Sequence, residues 1–225
     1  ILEKKEEFLQ QKVNCKKKVK IALIDYGSGN LQSAYKALEL VSDYKKKIFV
    51  TSNSKDLLKA DKIILPGVGA FADCMKGLKS ISGMINVLNE VVLEKKKPFL
   101  GICIGMQLMA TEGKEKGNHK GLGWIEGKVI KIKKNKKIKI PHMGWNTVKV
   151  TSKHPIIKRK KFESYFVHSY NFICKNKKNV LATCDYQQKI TAIVGKENII
   201  GTQFHPEKSQ KVGLEILKNF VFWNY

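Results

Sequence analysis

The 225-residue sequence predicts an α/β domain built on an open, mostly parallel twisted sheet with helices on both faces. Three observations predict it. Short apolar runs alternate with stretches whose apolar residues recur at helical spacing. Two of the runs end in glycine-containing turns, Gly27-Ser28-Gly29-Asn30 and Pro66-Gly67-Val68-Gly69. The length suits one large domain and can bury a sizeable core without disulfides or metals.

The first strand is expected at 19–25, followed by a helix carrying Leu31, Ala34, Leu38 and Val41 on one face. A strand at 48–51, a helix at 54–60 and a strand at 62–65 continue the alternation. Residues 70–96 read as helical with a break near Ser82-Gly83, and 98–102 reads as a buried strand that runs straight into a helix. Beyond Gly123 the period changes to two. Strand pairs are expected within 126–150, with Ile138-Lys139-Ile140 in one strand and Asn135-Lys136-Lys137 as a turn. Strands at 164–168, 180–184, 190–195 and 198–204 follow, and a last helix covers about 208–223. No repeat or long linker divides the chain, so 20–225 is expected to form a single domain. Residues 1–19 read as a charged extension that can form a helix. Glu3, Glu6 and Glu7, the absence of arginine and the lack of an apolar core fit neither a transit nor a signal peptide.

The formal net charge of +24 suggests a polyanion binder at first sight. Of 43 basic residues only Arg159 is an arginine, however, and phosphate grip and base readout lean on arginine. The lysines are spread along the chain and read as solvated faces, so neither a nucleic acid nor a membrane is an expected partner. The five cysteines form no CxxC pair, which predicts neither a disulfide framework nor a zinc cluster and fits a reducing, cytoplasmic setting.

Parallel sheets bind ligands at the carboxyl ends of their strands. Three strand ends stand out. Gly101-Ile102-Cys103-Ile104-Gly105 has the G-x-nucleophile-x-G form of a nucleophile elbow, in which flanking glycines relieve a strained turn and the following helix N-terminus favours a thiolate. Gly201-Thr202-Gln203-Phe204-His205-Pro206-Glu207 supplies a base and an orienting carboxylate two residues apart, the usual logic of a triad. Gly67-Val68-Gly69 offers backbone N–H groups to an anion.

Together LPGVGAF, GICIGMQLM and GTQFHPEKS resemble the motifs of class I, triad-type glutamine amidotransferases. Within that family the chain is similar to the glutaminase subunits of imidazole glycerol phosphate synthases, of histidine biosynthesis. The residues that carry this narrower match are Asp25-Tyr26-Gly27-Ser28-Gly29-Asn30-Leu31, Gly121-Leu122-Gly123-Trp124, Pro141-His142-Met143-Gly144-Trp145-Asn146 and Tyr165-Phe166-Val167-His168-Ser169-Tyr170. The resemblance spans about residues 20–225 and leaves out 1–19.

It implies that Cys103 is the nucleophile, His205 the general base and acid, and Glu207 the orienting carboxylate. It implies an oxyanion hole from the N–H of Ile104 and one from Gly67, Val68 or Gly69. Many family members carry Gly-Gly where this chain has Gly67-Val68; because Val resists positive φ, this strand is expected to reorient before the hole is complete. Gln107, His168, Ser169 and Tyr170 match the positions that bind glutamine. Trp145, Tyr165 and Lys208 match a face that docks a (β/α)8-barrel cyclase, which uses the ammonia to make imidazole glycerol phosphate and an aminoimidazole carboxamide ribotide. No metal or organic cofactor is implied. Two other readings share the same residues: a paralogous subunit feeding ammonia to another pathway such as amidino-sugar synthesis, and a non-catalytic thiol protein of the same architecture.

Overall fold

The computed structural model describes residues 18–43, 46–134 and 138–225. Most of the expected extension, and the turn expected at Asn135-Lys136-Lys137, lie outside the described residues.

The parallel part of the sheet has the order β2-β1-β3-β4-β13, from β1 (Val19–Ile24), β2 (Lys46–Thr51), β3 (Lys62–Leu65), β4 (Phe99–Ile102) and β13 (Ile199–Thr202). Every residue of β3, β4 and β13 is buried. That is why these strands read as nearly continuous apolar runs, interrupted only at their ends by Lys62 and Thr202: covered on both faces, they have no side to give to water.

The helices are α1 (Leu31–Val41), α2 (Ser54–Lys59), α3 (Phe71–Ser80), α4 (Met84–Asn89), α5 (Ile104–Gln107) and α6 (Gln210–Phe222). Asn30 and Asn53 cap α1 and α2 through their side-chain oxygens, which accept from the N–H of Ser33 and Lys55. At the other end of α2, the amine of Lys97 bonds the carbonyls of Leu57, Leu58 and Ala60. The chain steps from β1 outward to β2, then back across β1 to β3. Right-handed crossovers therefore put α1 and α2 on opposite faces. The last helix α6 packs against α1, while α3 and α4 join α2. Gly83, at φ +70°, supplies the expected break before α4, which then runs into a π-helical turn at Glu90–Glu94.

Four antiparallel strands extend the sheet beyond β13: β12 (Lys189–Lys196), β11 (Val180–Asp185), β8 (His142–Val150) and β9 (Lys161–His168). Four pairings in the nine-stranded sheet are thus parallel and four antiparallel. A second sheet has the order β10-β7-β5-β6, from β10 (Tyr170–Cys174), β7 (Ile125–Lys131), β5 (Ala110–Gly113) and β6 (His119–Lys120).

Here the expected strand pairs within 126–150 need correction. β7 and β8 belong to different sheets, and Ile138-Lys139-Ile140 is not a strand but part of the passage between them. Alternation reveals that one face of a strand is buried; it does not reveal which sheet buries it. The strands β5, β6 and β10 had no sequence signal, being two to five residues long and continuous with a helix or another strand.

Candidate functional site

Cys103 closes β4 at φ +54° and ψ −108°, a region a non-glycine residue enters only when its surroundings hold it there. Both flanking glycines are sterically required. A Cβ on Gly101 would lie 2.6 Å from the Gly105 carbonyl oxygen, and one on Gly105 would lie 1.8 Å from that of Leu65. The N–H of Cys103 donates to Thr202 O at 2.7 Å, so β13 pins the elbow directly. The helix that follows, α5, is a single turn of four residues. Its dipole is correspondingly small.

His205 leaves the end of β13 and is followed by a 3-10 turn, Pro206–Lys208. Its Nδ1 lies 2.7 Å from Glu207 Oε1, both side chains being nearly fully buried. Nε2 is buried, and the ring shares a cavity with Cys103. Burial pushes the imidazole pKa down, but hydrogen bonding and attraction from Cys103 and Glu207 outweigh it and raise it to about 10. The surroundings of His205 therefore favour its protonated form. Edge strand β9 fixes this turn. The Tyr165 carbonyl accepts from the N–H of His205 at 3.1 Å, and its N–H donates to Ser209 Oγ at 3.0 Å.

The cavity measures about 240 Å³ and is lined by Val68, Gly69, Cys103, Ile104, Gln107, Glu115, Pro141, Val167, His168, Ser169, Tyr170 and His205. It thus gathers nine of the residues singled out from the sequence. Gly67 lies behind the wall: a Cβ there would meet Tyr26 Oη at 2.6 Å and Ile104 Cβ at 2.9 Å. Val68 is absent from the residues at positive φ, while Gly69 sits at +105°. The Val68 carbonyl accepts from Ser28 Oγ and from Cys74 Sγ (3.4 Å), and Tyr26 Oη donates to Pro66 O at 2.8 Å. Three side chains therefore hold the carbonyls of this strand from behind. Ile104, at the first position of α5, has an N–H that no intrahelical acceptor requires.

The opposite wall carries His168, whose ring and that of His142 behind it are uncharged near neutrality. His168 Nδ1 lies 2.7 Å from Tyr170 O, a pure acceptor, so Nδ1 carries the hydrogen. Its Nε2 must then accept from His142 Nδ1 at 2.9 Å, and His142 Nε2 accepts from Asn146 Nδ2 at 3.1 Å. Burial pushes His142 down to about 4 and His168 to about 3, so neither ring is charged near neutrality. Glu115 is the one carboxylate in the cavity lining; its Oε2 accepts from the N–H of Phe71 at 2.7 Å.

Trp145, Tyr165 and Lys208 lie outside the cavity. Trp145 and Tyr165 are register partners on β8 and β9 with ring centroids 6.0 Å apart. Trp145 is 49% exposed and Met143, two residues earlier on the same face, 61%. Lys208 is exposed directly beyond Glu207. Sequence reasoning missed Glu115, Pro141, Val167 and the wholly buried Gln203. Gln203 stands two residues before His205 in a segment already singled out; Glu115 sits in an ordinary charged stretch that gave no signal.

Among the described residues no group of three or more His, Cys, Asp or Glu could hold a metal ion. Among the described residues no helix is long and apolar enough to cross a membrane.

The model of the class-I glutamine amidotransferase family matches residues 22–223. A relative from Rhodopseudomonas palustris, named imidazole glycerol phosphate synthase subunit HisH, is 50% identical over 212 residues, covering 90% of this chain and 98% of its own. The subunit of the same name from Zymomonas mobilis is 50% identical over 206 residues, covering 91% and 96%. Among solved structures, a glutamine amidotransferase superposes with a TM-score of 0.68 at 18% identity, covering 88% of this chain and 98% of its own. PurLQS from Thermotoga maritima gives 0.65 at 20% identity, covering 90% and 95%.

Proposed function

The chain belongs to the class-I glutamine amidotransferase family, and from that premise we propose that it is the glutaminase subunit of an imidazole glycerol phosphate synthase, acting through Cys103, His205 and Glu207. One observation carries the reading: a cysteine held at φ +54° on a strand end shares a cavity with a histidine already oriented by a buried carboxylate.

The Cys103 thiolate attacks the side-chain amide carbon of glutamine. Negative charge gathers on the carbonyl oxygen, where the N–H of Ile104 and one from the Gly67-Val68-Gly69 strand receive it. The imidazolium of His205 gives its proton to the departing nitrogen, and ammonia leaves a glutamyl thioester. The neutral imidazole then takes a proton from water, whose oxygen attacks the thioester; glutamate leaves and the thiolate returns. Glu207 fixes the tautomer of His205 and balances its charge throughout.

At the amino-acid end of glutamine, Glu115 offers the negative charge an ammonium requires, and Ser169, Tyr170 and His168 line the same wall. Gln107 lines the cavity and keeps an unpartnered amide oxygen. Val68 keeps its carbonyl tied to Ser28 and Cys74, which supports a hole completed only when the strand turns. The partner is a (β/α)8-barrel cyclase docked over Met143, Trp145, Tyr165 and Lys208, which receives ammonia before water protonates it. A cytoplasmic setting agrees with the free thiols of Cys74, Cys103, Cys174 and Cys184.

The test is glutamate release by the isolated chain and by the chain with the cyclase and its nucleotide ligand. Strong stimulation, abolished in Cys103→Ala, is expected. Absence of stimulation by a folded cyclase would reject the pathway, and activity surviving in Cys103→Ala would reject the nucleophile.

A further inference from the structure

The resting hydrogen bonds around Cys103 include one side chain that the glutaminase chemistry above leaves unused. Gln203 is wholly buried near the end of β13, with its N–H fixed on Ala192 O at 2.9 Å. Its Oε1 accepts from Gln107 Nε2 at 2.9 Å, and its Nε2 points at Cys103 Sγ from 3.7 Å. Gln107 spends the rest of its amino group on Tyr170 O at 3.4 Å, which leaves Gln107 Oε1 buried and without a partner.

We propose that Gln203 is a positioning residue that couples the amide orientation of Gln107 to the charge on the Cys103 sulfur. An amide carries its acceptor and its donor on opposite ends, so turning one end determines the other. A thiolate accepts and cannot donate. It therefore draws the amino end of Gln203 and sends Oε1 toward Gln107. Gln107 must answer with its own amino end, which leaves its Oε1 unpartnered and able to accept a substrate N–H. A flipped Gln203 would set an oxygen against the thiolate and two amino groups against each other, at the cost of a buried unsatisfied donor. Charging the nucleophile and preparing the substrate site are thus one event. The titratable groups coupled to the sulfur are His205, Tyr26 and Cys74. His168 and Glu115 line the same cavity, and His168 Nδ1 donates to the Tyr170 carbonyl that Gln107 Nε2 also uses.

The proposal rests on the glutaminase reading, and one readout is independent of it: the pH dependence of Cys103 alkylation by iodoacetamide, without glutamine. Gln203→Met keeps the volume and removes both ends of the amide. It is expected to move the alkylation midpoint up by about one pH unit and to raise KM for glutamine about tenfold, with a smaller change in kcat. Gln203→Glu, nearly isosteric, sets a carboxylate against the sulfur and is expected to raise the midpoint further; it carries the test if the Met variant does not fold. A folded variant whose midpoint stays within about 0.2 unit and whose KM stays within about twofold of the parent overturns the proposal. A shifted midpoint in a chain that never hydrolyses glutamine would sink the glutaminase reading and leave the Gln203–sulfur link standing.

Discussion

His142 donates its Nδ1 hydrogen to Nε2 of His168 at 2.9 Å, and both rings are held neutral by burial. The bond joins a strand of the exposed Trp145 face to the wall of the glutamine cavity. It also has a thermodynamic signature. Above pH 6.5 the two rings are neutral folded and unfolded alike. As the pH falls below that value the unfolded chain takes protons the folded chain refuses, so stability is lost, by about 2 kcal/mol per ring at pH 5. His205 works in the opposite sense, since its contribution is fully present below 6.5 and fades as pH rises toward 10. Urea midpoints at pH 7 and pH 5 should therefore fall further for the parent than for a His142→Asn/His168→Asn variant; equal falls would show that the rings are not held neutral.

In the proposed triad Glu207 orients and Cys103 reacts, so the two should not be equally costly to remove. Glu207→Ala is expected to keep about two orders of magnitude more glutaminase activity than Cys103→Ala, as for other triads whose carboxylate is deleted. With its partner gone, the His205 imidazolium loses a stabilising charge, and the pH profile of kcat/KM should shift with it. Complete loss in both variants would argue against an orienting role.

Glu115 is set to test the amino-acid end of the site. Glu115→Gln keeps the shape and the acceptor for Phe71 N–H but removes the charge. KM for glutamine should rise about tenfold or more, with kcat less affected, because an interaction with a charged ligand group is lost. An unchanged KM would move the ammonium elsewhere.

Gly105→Ala should be the most damaging single methyl in the elbow, since its Cβ would sit 1.8 Å from Leu65 O, a backbone atom with nowhere to retreat. About 3 kcal/mol of stability should be lost, against little for a conservative change on the exposed lysine faces. Thermal melting measures it.

For the docking face, Trp145→Ala should weaken binding of the cyclase about thirtyfold or more, as expected for an exposed aromatic anchor at the centre of an interface. Titration with the purified barrel protein checks this, and an unchanged Kd would displace the interface from β8 and β9.

The parallel half of the sheet was legible because strands covered on both faces spell themselves as apolar runs, as in Ile63-Ile64-Leu65 and Phe99–Ile102. The convergence of Cys103, His205 and Glu207, the proposed triad, was legible for a related reason: each lies within a few residues of a strand end flanked by glycine or proline. The rest depended on contacts that the chain makes across long separations. Glu115 reaches the cavity by a bond to Phe71, 44 residues away, and Gln203 reaches Gln107 across 96. The partition of β7 and β8 between two sheets is equally invisible to a two-residue period. The single-turn length of α5 was hidden too, because Leu108, Met109 and Ala110 keep an apolar pattern whether they continue a helix or enter β5.

Strand β9 lies at the rim of the nine-stranded sheet, where unpaired main-chain groups invite another chain to add a strand. Here the outward N–H and carbonyl of Tyr165 are already taken by Ser209 and His205. The turn that carries the base of the triad therefore also guards the rim against intermolecular sheet growth. Substitutions that loosen the His205–Ser209 turn should show themselves as aggregation on storage before any thermal melt reveals a change, and solubility becomes a quick reporter of whether the catalytic turn is seated.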